Sequence, residues 1–393
     1  MKDLKHLCYF KKLLDEADNE LVHTAKEDGR VCVGTVCSLI PEVLLDLPGA
    51  FTVRLRASSS RTMEMGAYYL TSFLCEYSRA LLDRAIAGDY QFLDCLIAPD
   101  ACSILSRAVE DMELLKTMPK ENFFYQYMGI PMTADDDGLS LYVSECKNKI
   151  LKPLYEVYGI DISEKALYQA VEGHNRVCSL ITQIGQFRKE ENPPITGYEY
   201  HIITLASYVC PKDMLVEKLE ETLKEIKERK PDVERQFQAK VVVVGSELDN
   251  ADLVRLIEEA GAFVVADRFC FGGLPGREVL PLNRKEDVVT QVCRHYMNSS
   301  QCARYMNQEK IDRRRAYVNQ LAEEYHADGI IYQQMKFCDY WADEQITSSR
   351  MLSEAYGYPV FSLDRPYTID SSEQLRSRVQ AFVEGIATKK NFI

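Results

Sequence analysis

The sequence predicts an α/β protein of two doubly wound (Rossmann-like) parallel-sheet domains with a helical insertion between them. Three observations carry this reading. Short runs such as Val31-Cys-Val-Gly-Thr-Val-Cys37 and Lys240-Val-Val-Val-Val-Gly245 are apolar throughout, as strands covered on both faces of a parallel sheet must be. These runs alternate with longer segments of helical period, the pattern of βαβ units. The alternation lapses between the two halves and then resumes. The boundaries that follow are a helical segment over 1–30, a first α/β domain over 31–137, a helical insertion over 138–235 and a second α/β domain over 236–393.

In chain order, residues 31–37 form the first strand. Pro41 suits the first turn of a short helix reaching residue 47. Phe51-Thr-Val-Arg-Leu-Arg56 alternates like a strand. Residues 64–87 read as one helix that contains Cys75, with Gly88 where a C-cap would sit. A strand over 93–98, a helix over 102–116 and a strand over 123–127 complete the first unit. Residues 138–230 read as helices broken by Glu191-Asn-Pro-Pro194, and the acids and bases spaced along 214–230 mark a solvated face. The second unit has strands over 240–245, 262–266, 329–332 and 359–362. Helices over 251–260, 285–299, 310–326, 344–356 and 371–386 separate or follow them, and Gly261 ends the first of these. The two halves share an order of elements without a residue-level repeat.

Composition excludes several classes. The 393 residues carry 47 Lys and Arg against 60 Asp and Glu, a net charge of −13. Attraction to nucleic acid or to an anionic membrane is not expected. No apolar run of transmembrane length and no secretory h-region occur, so a cytoplasmic location is expected. Thirteen cysteines cannot all pair within one chain, and no CxxC is present. In a reducing compartment they are thiols, metal ligands or nucleophiles. Val244-Gly-Ser-Glu-Leu248 lacks the glycines of a dinucleotide fingerprint. P-loop, HExxH and GxSxG patterns are also absent. The six histidines are scattered.

The cysteines are more informative. Cys102, Cys270 and Cys338 lie just past predicted strands, and open α/β sheets bind ligands outside the carboxyl ends of their strands. With Cys75, thiols from distant segments can converge on a crevice between the domains. A [4Fe–4S] cluster prefers four thiolates, and three would leave one iron exchangeable. Burial of the same thiols in the core is the alternative. Ser38 and Glu42, near the end of the first strand, are candidate catalytic residues. A helix cap and an exposed acid are their alternatives.

A series of ordered segments goes further. It runs through Val33-Gly-Thr-Val-Cys-Ser-Leu-Ile-Pro-Glu42, Ser72-Phe-Leu-Cys-Glu-Tyr-Ser-Arg79, Ile97-Ala-Pro-Asp-Ala-Cys102 and Pro193-Pro-Ile-Thr-Gly197. Val244-Gly-Ser-Glu-Leu-Asp249, Val265-Ala-Asp-Arg-Phe-Cys270, Asp328-Gly-Ile-Ile-Tyr332, Lys336-Phe-Cys-Asp339 and Gln374-Leu-Arg-Ser-Arg378 complete it. Over residues 30–390 the chain resembles the 2-hydroxyacyl-CoA dehydratase / benzoyl-CoA reductase family, in its iron–sulfur subunit type. The resemblance implies one [4Fe–4S] cluster held by Cys75, Cys102 and Cys338, a related second subunit in a heterodimer, and an ATP-hydrolysing iron–sulfur activator protein. It implies an oxygen-sensitive lyase that removes water from an (R)-2-hydroxyacyl-CoA through a ketyl radical after one-electron activation. Arg54, Arg56, Arg61 and Arg79 become candidates for the CoA phosphates, with ordinary surface charge as the alternative. Other branches imply an ATP-dependent reductase, benzoyl-CoA reductase-like or carrying a double-cubane [8Fe–9S] cluster, or a non-catalytic electron-relay subunit. Cys270 and Cys302 match positions that are cysteine in several relatives. The chain departs from the family at Phe271-Gly-Gly-Leu-Pro-Gly-Arg277, where relatives carry CxGxR, and at Ser58–Ser60, where the double-cubane branch has a further cysteine.

Overall fold

The structure, a computed structural model, describes residues 3–57, 63–230, 237–273, 278–369 and 373–391. Arg61, Arg277 and the serines at 58–60 lie outside the described residues. Two four-stranded sheets organise the chain, each fully parallel. The first contains β1 (Val31–Thr35), β2 (Ala50–Arg54), β3 (Cys95–Asp100) and β4 (Phe124–Gly129), in the order β2-β1-β3-β4. The second contains β5 (Ala239–Gly245), β6 (Ala262–Arg268), β7 (Gly329–Met335) and β8 (Val360–Arg365), in the order β6-β5-β7-β8. The two orders are the same topology written twice. In each, the chain reverses its direction of travel between the two central strands, and the carboxyl ends of those strands flank the crevice that such sheets offer to ligands.

The strands form where the sequence is apolar on both faces. Val241, Val242, Val243 and Val244 are all fully buried, as covering a sheet by helices on both sides requires. Between β4 and β5 the described residues form no strand. They fold into helices, of which Glu164–Gln186 and Lys212–Glu228 are the longest and pack on each other. Their apolar residues join one core with the first sheet, so the insertion is built into the first domain. Helix Gly197–Ala206 opens on a capping box between Thr196 and Glu199 and packs against β6, which ties the insertion to the second sheet.

One expected helix is two. Residues 64–87 break at Thr71, whose φ of 63° leaves the helical region, and resume as Glu76–Ala87. The first piece, Glu64–Leu70, folds back on the second. Asp83 in the second piece accepts the backbone N–H of Met65 (2.9 Å) and of Gly66 (3.1 Å), capping a helix whose own N-cap residue, Met63, cannot. A Cβ at position 66 would stand 2.1 Å from the Arg79 carbonyl oxygen, so the two pieces cross only because residue 66 is glycine. Helical periodicity runs through the break because both pieces bury one face. Cys75 is therefore an N-cap residue and not an interior helical one.

Gly245 closes β5 at φ 133°, and a Cβ there would lie 1.7 Å from the Gln333 carbonyl oxygen of neighbouring β7. Gly357 also has positive φ, 76°, but nothing within 4 Å of a Cβ. Replacing Gly245 with Ala is expected to cost about 2–4 kcal/mol of stability, and Gly357→Ala only about 1 kcal/mol. Thermal unfolding of the two variants measures the difference. Equal melting points would show that the β5–β7 approach is not constrained in this way.

Candidate metal centre

Five chemically interesting side chains sit just past the carboxyl end of a strand. Cys37 follows β1, Cys102 follows β3, Glu247 follows β5, Cys270 follows β6 and Cys338 follows β7. The duplicated topology makes Cys102 and Cys338 counterparts, one after the third strand of each sheet. It likewise makes Glu247 the counterpart of Cys37.

Cys75, Cys102 and Cys338 form a first group. Each is the N-cap residue of a helix: Glu76–Ala87, Ser103–Leu114 and Asp339–Tyr356. Burial pushes the Cys75 thiol up to about 11. Opposing that shift are the backbone N–H groups of Ser78 and Tyr77, which lie toward the sulfur without closing to full hydrogen-bond geometry. Leu105 and Ile104 do the same for Cys102, and Trp341 for Cys338, against the larger effect of burial. The three stand close enough for one thiolate to disfavour another: Cys102 raises Cys75, and both raise Cys338. Thiols at helix N-termini are the ones most readily held as thiolates. Phe337, at φ 64°, turns the chain so that Cys338 can cap its helix.

Cys37, Cys270 and Cys302 form a second group. Burial raises Cys37 to about 12 and raises the other two as well. Cys302 raises Cys37, and both raise Cys270. Cys37 Sγ accepts the Leu39 N–H at 3.5 Å. Arg314 pins the loop bearing Cys302, donating to the carbonyls of Cys302 (3.3 Å) and Tyr305 (2.6 Å).

Glu247 lies between the groups and raises members of both, Cys102 and Cys338 on one side and Cys37, Cys270 and Cys302 on the other. The residue is half-buried, its Oε2 is shut off from solvent with no partner among the described residues, and burial raises its pKa to about 7 against Arg54 and the Cys270 thiol. A network behind it fixes the backbone. Gln333 Nε2 donates to the Ser246 carbonyl (2.5 Å), Arg365 Nε donates to Gln333 Oε1 (2.8 Å), and Arg365 also donates to the Glu247 carbonyl.

The other candidates are placed as follows. Ser38 is buried beside Cys37, and Glu42 is buried in ion pairs with Arg54 and with Lys212 (3.4 Å). Arg54 donates to the Cys270 carbonyl (2.6 Å), Arg56 to the carbonyls of Asp249 (2.5 Å) and Leu14 (3.1 Å), and Arg79 to that of Leu74 (3.1 Å). These three arginines are thus committed to internal partners instead of a phosphate. Burial forces this, because a desolvated guanidinium must find acceptors in the protein. All thirteen cysteines are free thiols. Among the described residues no three His, Cys, Asp or Glu side chains close to the spacing of a single ion. The thiolates of a cubane each bind a different iron and stand further apart, so this sulfur-only donor set suits a cluster better than one cation.

Sequence reasoning missed Cys37 and Glu247. The strand-end rule that singled out Cys102 applies equally to Cys37. The rule also reaches Glu247 after β5, but its burial is set by residues far away in sequence.

Comparison with known proteins identifies the family. Residues 37–386 match the family described as 2-hydroxyglutaryl-CoA dehydratase, D-component. The chain belongs to this family. It is 22% identical to the (R)-phenyllactyl-CoA dehydratase beta subunit of Clostridium sporogenes, over 95% of this chain and 97% of that one. It is 23% identical to the putative dehydratase subunit YjiM of Escherichia coli K12, over 91% and 92%. It is 20% identical to the (R)-2-hydroxyglutaryl-CoA dehydratase beta subunit of Acidaminococcus fermentans, over 92% and 94%. Component and subunit descriptions imply a partner subunit. Among the described residues no helix is long and apolar enough to cross a membrane.

The raised pKa of Glu247 has a stability consequence. The folded protein binds this proton more tightly than the unfolded chain, so the contribution is complete below about pH 4.5 and is lost as pH rises to about 7. In metal-free protein the loss is roughly 2–3 kcal/mol. Glu247→Gln is expected to flatten the stability profile over that window in denaturant titrations. An unchanged slope would place the carboxyl in water.

Proposed function

We propose that this chain is the cluster-bearing subunit of an oxygen-sensitive (R)-2-hydroxyacyl-CoA dehydratase, acting with a related second subunit and an ATP-hydrolysing iron–sulfur activator. The observation that carries the reading is the group Cys75, Cys102 and Cys338, a buried and two half-buried cysteines at helix N-cap positions, from separate segments of both domains. These residues would hold a [4Fe–4S] cluster, with the first-turn N–H groups of their helices offsetting thiolate charge. When bound, the cluster supplies one-electron chemistry and an iron with an exchangeable position, which is what eliminating an α-hydroxyl with a barely acidic β-proton calls for. The chain's own part is to fix the ligands, exclude water from them, and keep Glu247 as a buried carboxyl between the thiol groups.

A second reading is favoured by one observation. The group Cys37, Cys270 and Cys302 brings the thiols to six, enough for two cubanes of three protein thiolates each, as a double-cubane [8Fe–9S] cluster in an ATP-dependent reductase would use, with serines at 58–60 standing against that branch.

Iron and sulfide analysis after anaerobic purification separates the readings. About four irons per chain are expected for the dehydratase and about eight for the double cubane. Cys75→Ser, Cys102→Ser and Cys338→Ser are each expected to lose most of the iron and more than 90% of activity with a 2-hydroxyacyl-CoA. Cys37→Ser, Cys270→Ser and Cys302→Ser keep the iron in the first reading and lose about half in the second. Reductant use decides as well: a dehydratase consumes electrons only to start, a reductase in every turnover. Full iron and activity in all the first-group variants would sink both.

A further inference from the structure

Two cysteines outside both thiol groups touch each other. The sulfurs of Cys146 and Cys293 lie 3.5 Å apart although 147 positions separate them in the chain, and both residues are fully buried. Neither follows a strand. Cys146 ends helix Asp136–Cys146 of the insertion, and Cys293 sits inside helix Val288–Ser299 of the second half.

The second of these helices is part of a connection between the domains. Helix Val288–Ser299 comes from the second half of the sequence, yet it packs on helices Asp136–Cys146 and Glu164–Gln186. Its Cys293 shares one core with Val33 of β1 and Ile97 of β3. The next helix, Gln308–Glu324, packs instead on β5 and β6. The link between the two carries Cys302. Beside the buried sulfurs, Lys147 and Asp287 form an exposed ion pair at 3.3 Å, a kind of contact that contributes little to stability.

Two features suit the sulfurs to bond formation. A disulfide brings them to about 2.0 Å, so about 1.5 Å of closure is needed. That closure falls at a local irregularity: Lys147–Leu151, directly after Cys146, is a π-turn, a wide form of helix that recurs at functional sites. The pair is also quiet when reduced. Burial pushes the Cys146 thiol well above its ordinary range, and the adjacent Cys293 adds to the shift. Buried thiols of this kind are inert to bulky reagents. Hydrogen peroxide is hardly larger than water.

We propose that Cys146 and Cys293 are a redox pair that hydrogen peroxide converts to a disulfide, stapling helix Val288–Ser299 to the first domain. One sulfur attacks the peroxide O–O bond, becomes a sulfenic acid and releases one water. The second sulfur then displaces the hydroxyl, which leaves as a second water when the S–S bond forms. Two thiols and one peroxide thus give one disulfide and two waters, the peroxide being reduced by two electrons. A dithiol reductant returns both thiols by exchange. The staple keeps the segment that bears Cys302 seated between the domains, and the proposal does not rest on the cluster reading.

Peroxide treatment of the folded, anaerobically purified chain with a chelator present tests this, followed by alkylation, digestion without reductant and mass spectrometry. A linked peptide pair containing Cys146 and Cys293 is expected in most molecules, and dithiothreitol should remove it. Thermal unfolding is the second measurement. The oxidised protein is expected to melt at least about 5 °C above its dithiothreitol-treated form, because the link closes a long loop in the unfolded chain. In Cys146→Ala and Cys293→Ala that difference is expected to vanish. Each variant is compared with its own reduced form, so lost packing does not enter. Absence of the linked peptides, a link formed only in denaturant, a link that leaves the melting point unchanged, or an equal rise in the variants would overturn the proposal.

Discussion

The crevice depends on one buried cation. Arg54, at the end of β2, is 2% exposed, and it is ion-paired with Glu42. Its guanidinium lies over the Tyr208 ring at 4.1 Å and the Phe271 ring at 5.3 Å, and donates to the Cys270 carbonyl. Its backbone N–H donates to the Tyr208 carbonyl at 2.8 Å. One side chain thus joins the first sheet, the helical insertion and the cysteine loop of the second domain. Burying a guanidinium costs several kcal/mol unless its donors are met. The three segments therefore have to arrive together or leave the charge with still fewer partners, since its Nε already has none among the described residues. Asp249 latches the domains a second time, accepting the Ala57 N–H at 2.8 Å and the Tyr367 hydroxyl at 2.6 Å.

The duplicated sheet order explains why the site takes this form. A parallel strand delivers its next residues to the same edge of the sheet each time, so two sheets of equal topology offer equivalent places. Cys102 and Cys338 fill one such pair symmetrically. Cys37 and Glu247 fill another asymmetrically, a thiol in the first domain and a carboxyl in the second. The asymmetry puts an ionisable oxygen acid among sulfurs, where burial leaves it near neutrality in the physiological range.

Much of this is legible in the sequence. The valine-rich runs are strands because no other element uses short, fully apolar segments so economically, and Gly88 ends its helix in the left-handed conformation, as its position implies. The strand-end places of Cys102 and Cys338 are legible because they follow such runs. The N-cap place of Cys75 is not, since the break at Thr71 comes from tertiary contacts with Asp83 and Arg79 that periodicity does not encode. The arginines mislead for a related reason: exposure cannot be read locally, and Arg54, Arg56 and Arg79 are absorbed by carbonyls and carboxylates far away in the chain.

Burial alone does not mark a cysteine as a ligand here. Cys95, Cys146 and Cys210 are as deeply buried as any thiol in the crevice, and burial raises them with no backbone N–H opposing it. They are thiols packed as small apolar groups. At Cys37, Cys75, Cys102, Cys302 and Cys338 a backbone N–H favours the thiolate against that burial. The presence of these donors, with thiols grouped so that each ionisation disfavours the next, describes a site that is poorly balanced as bare thiolates. A bound cationic centre inverts that balance, since it turns mutual repulsion into shared attraction.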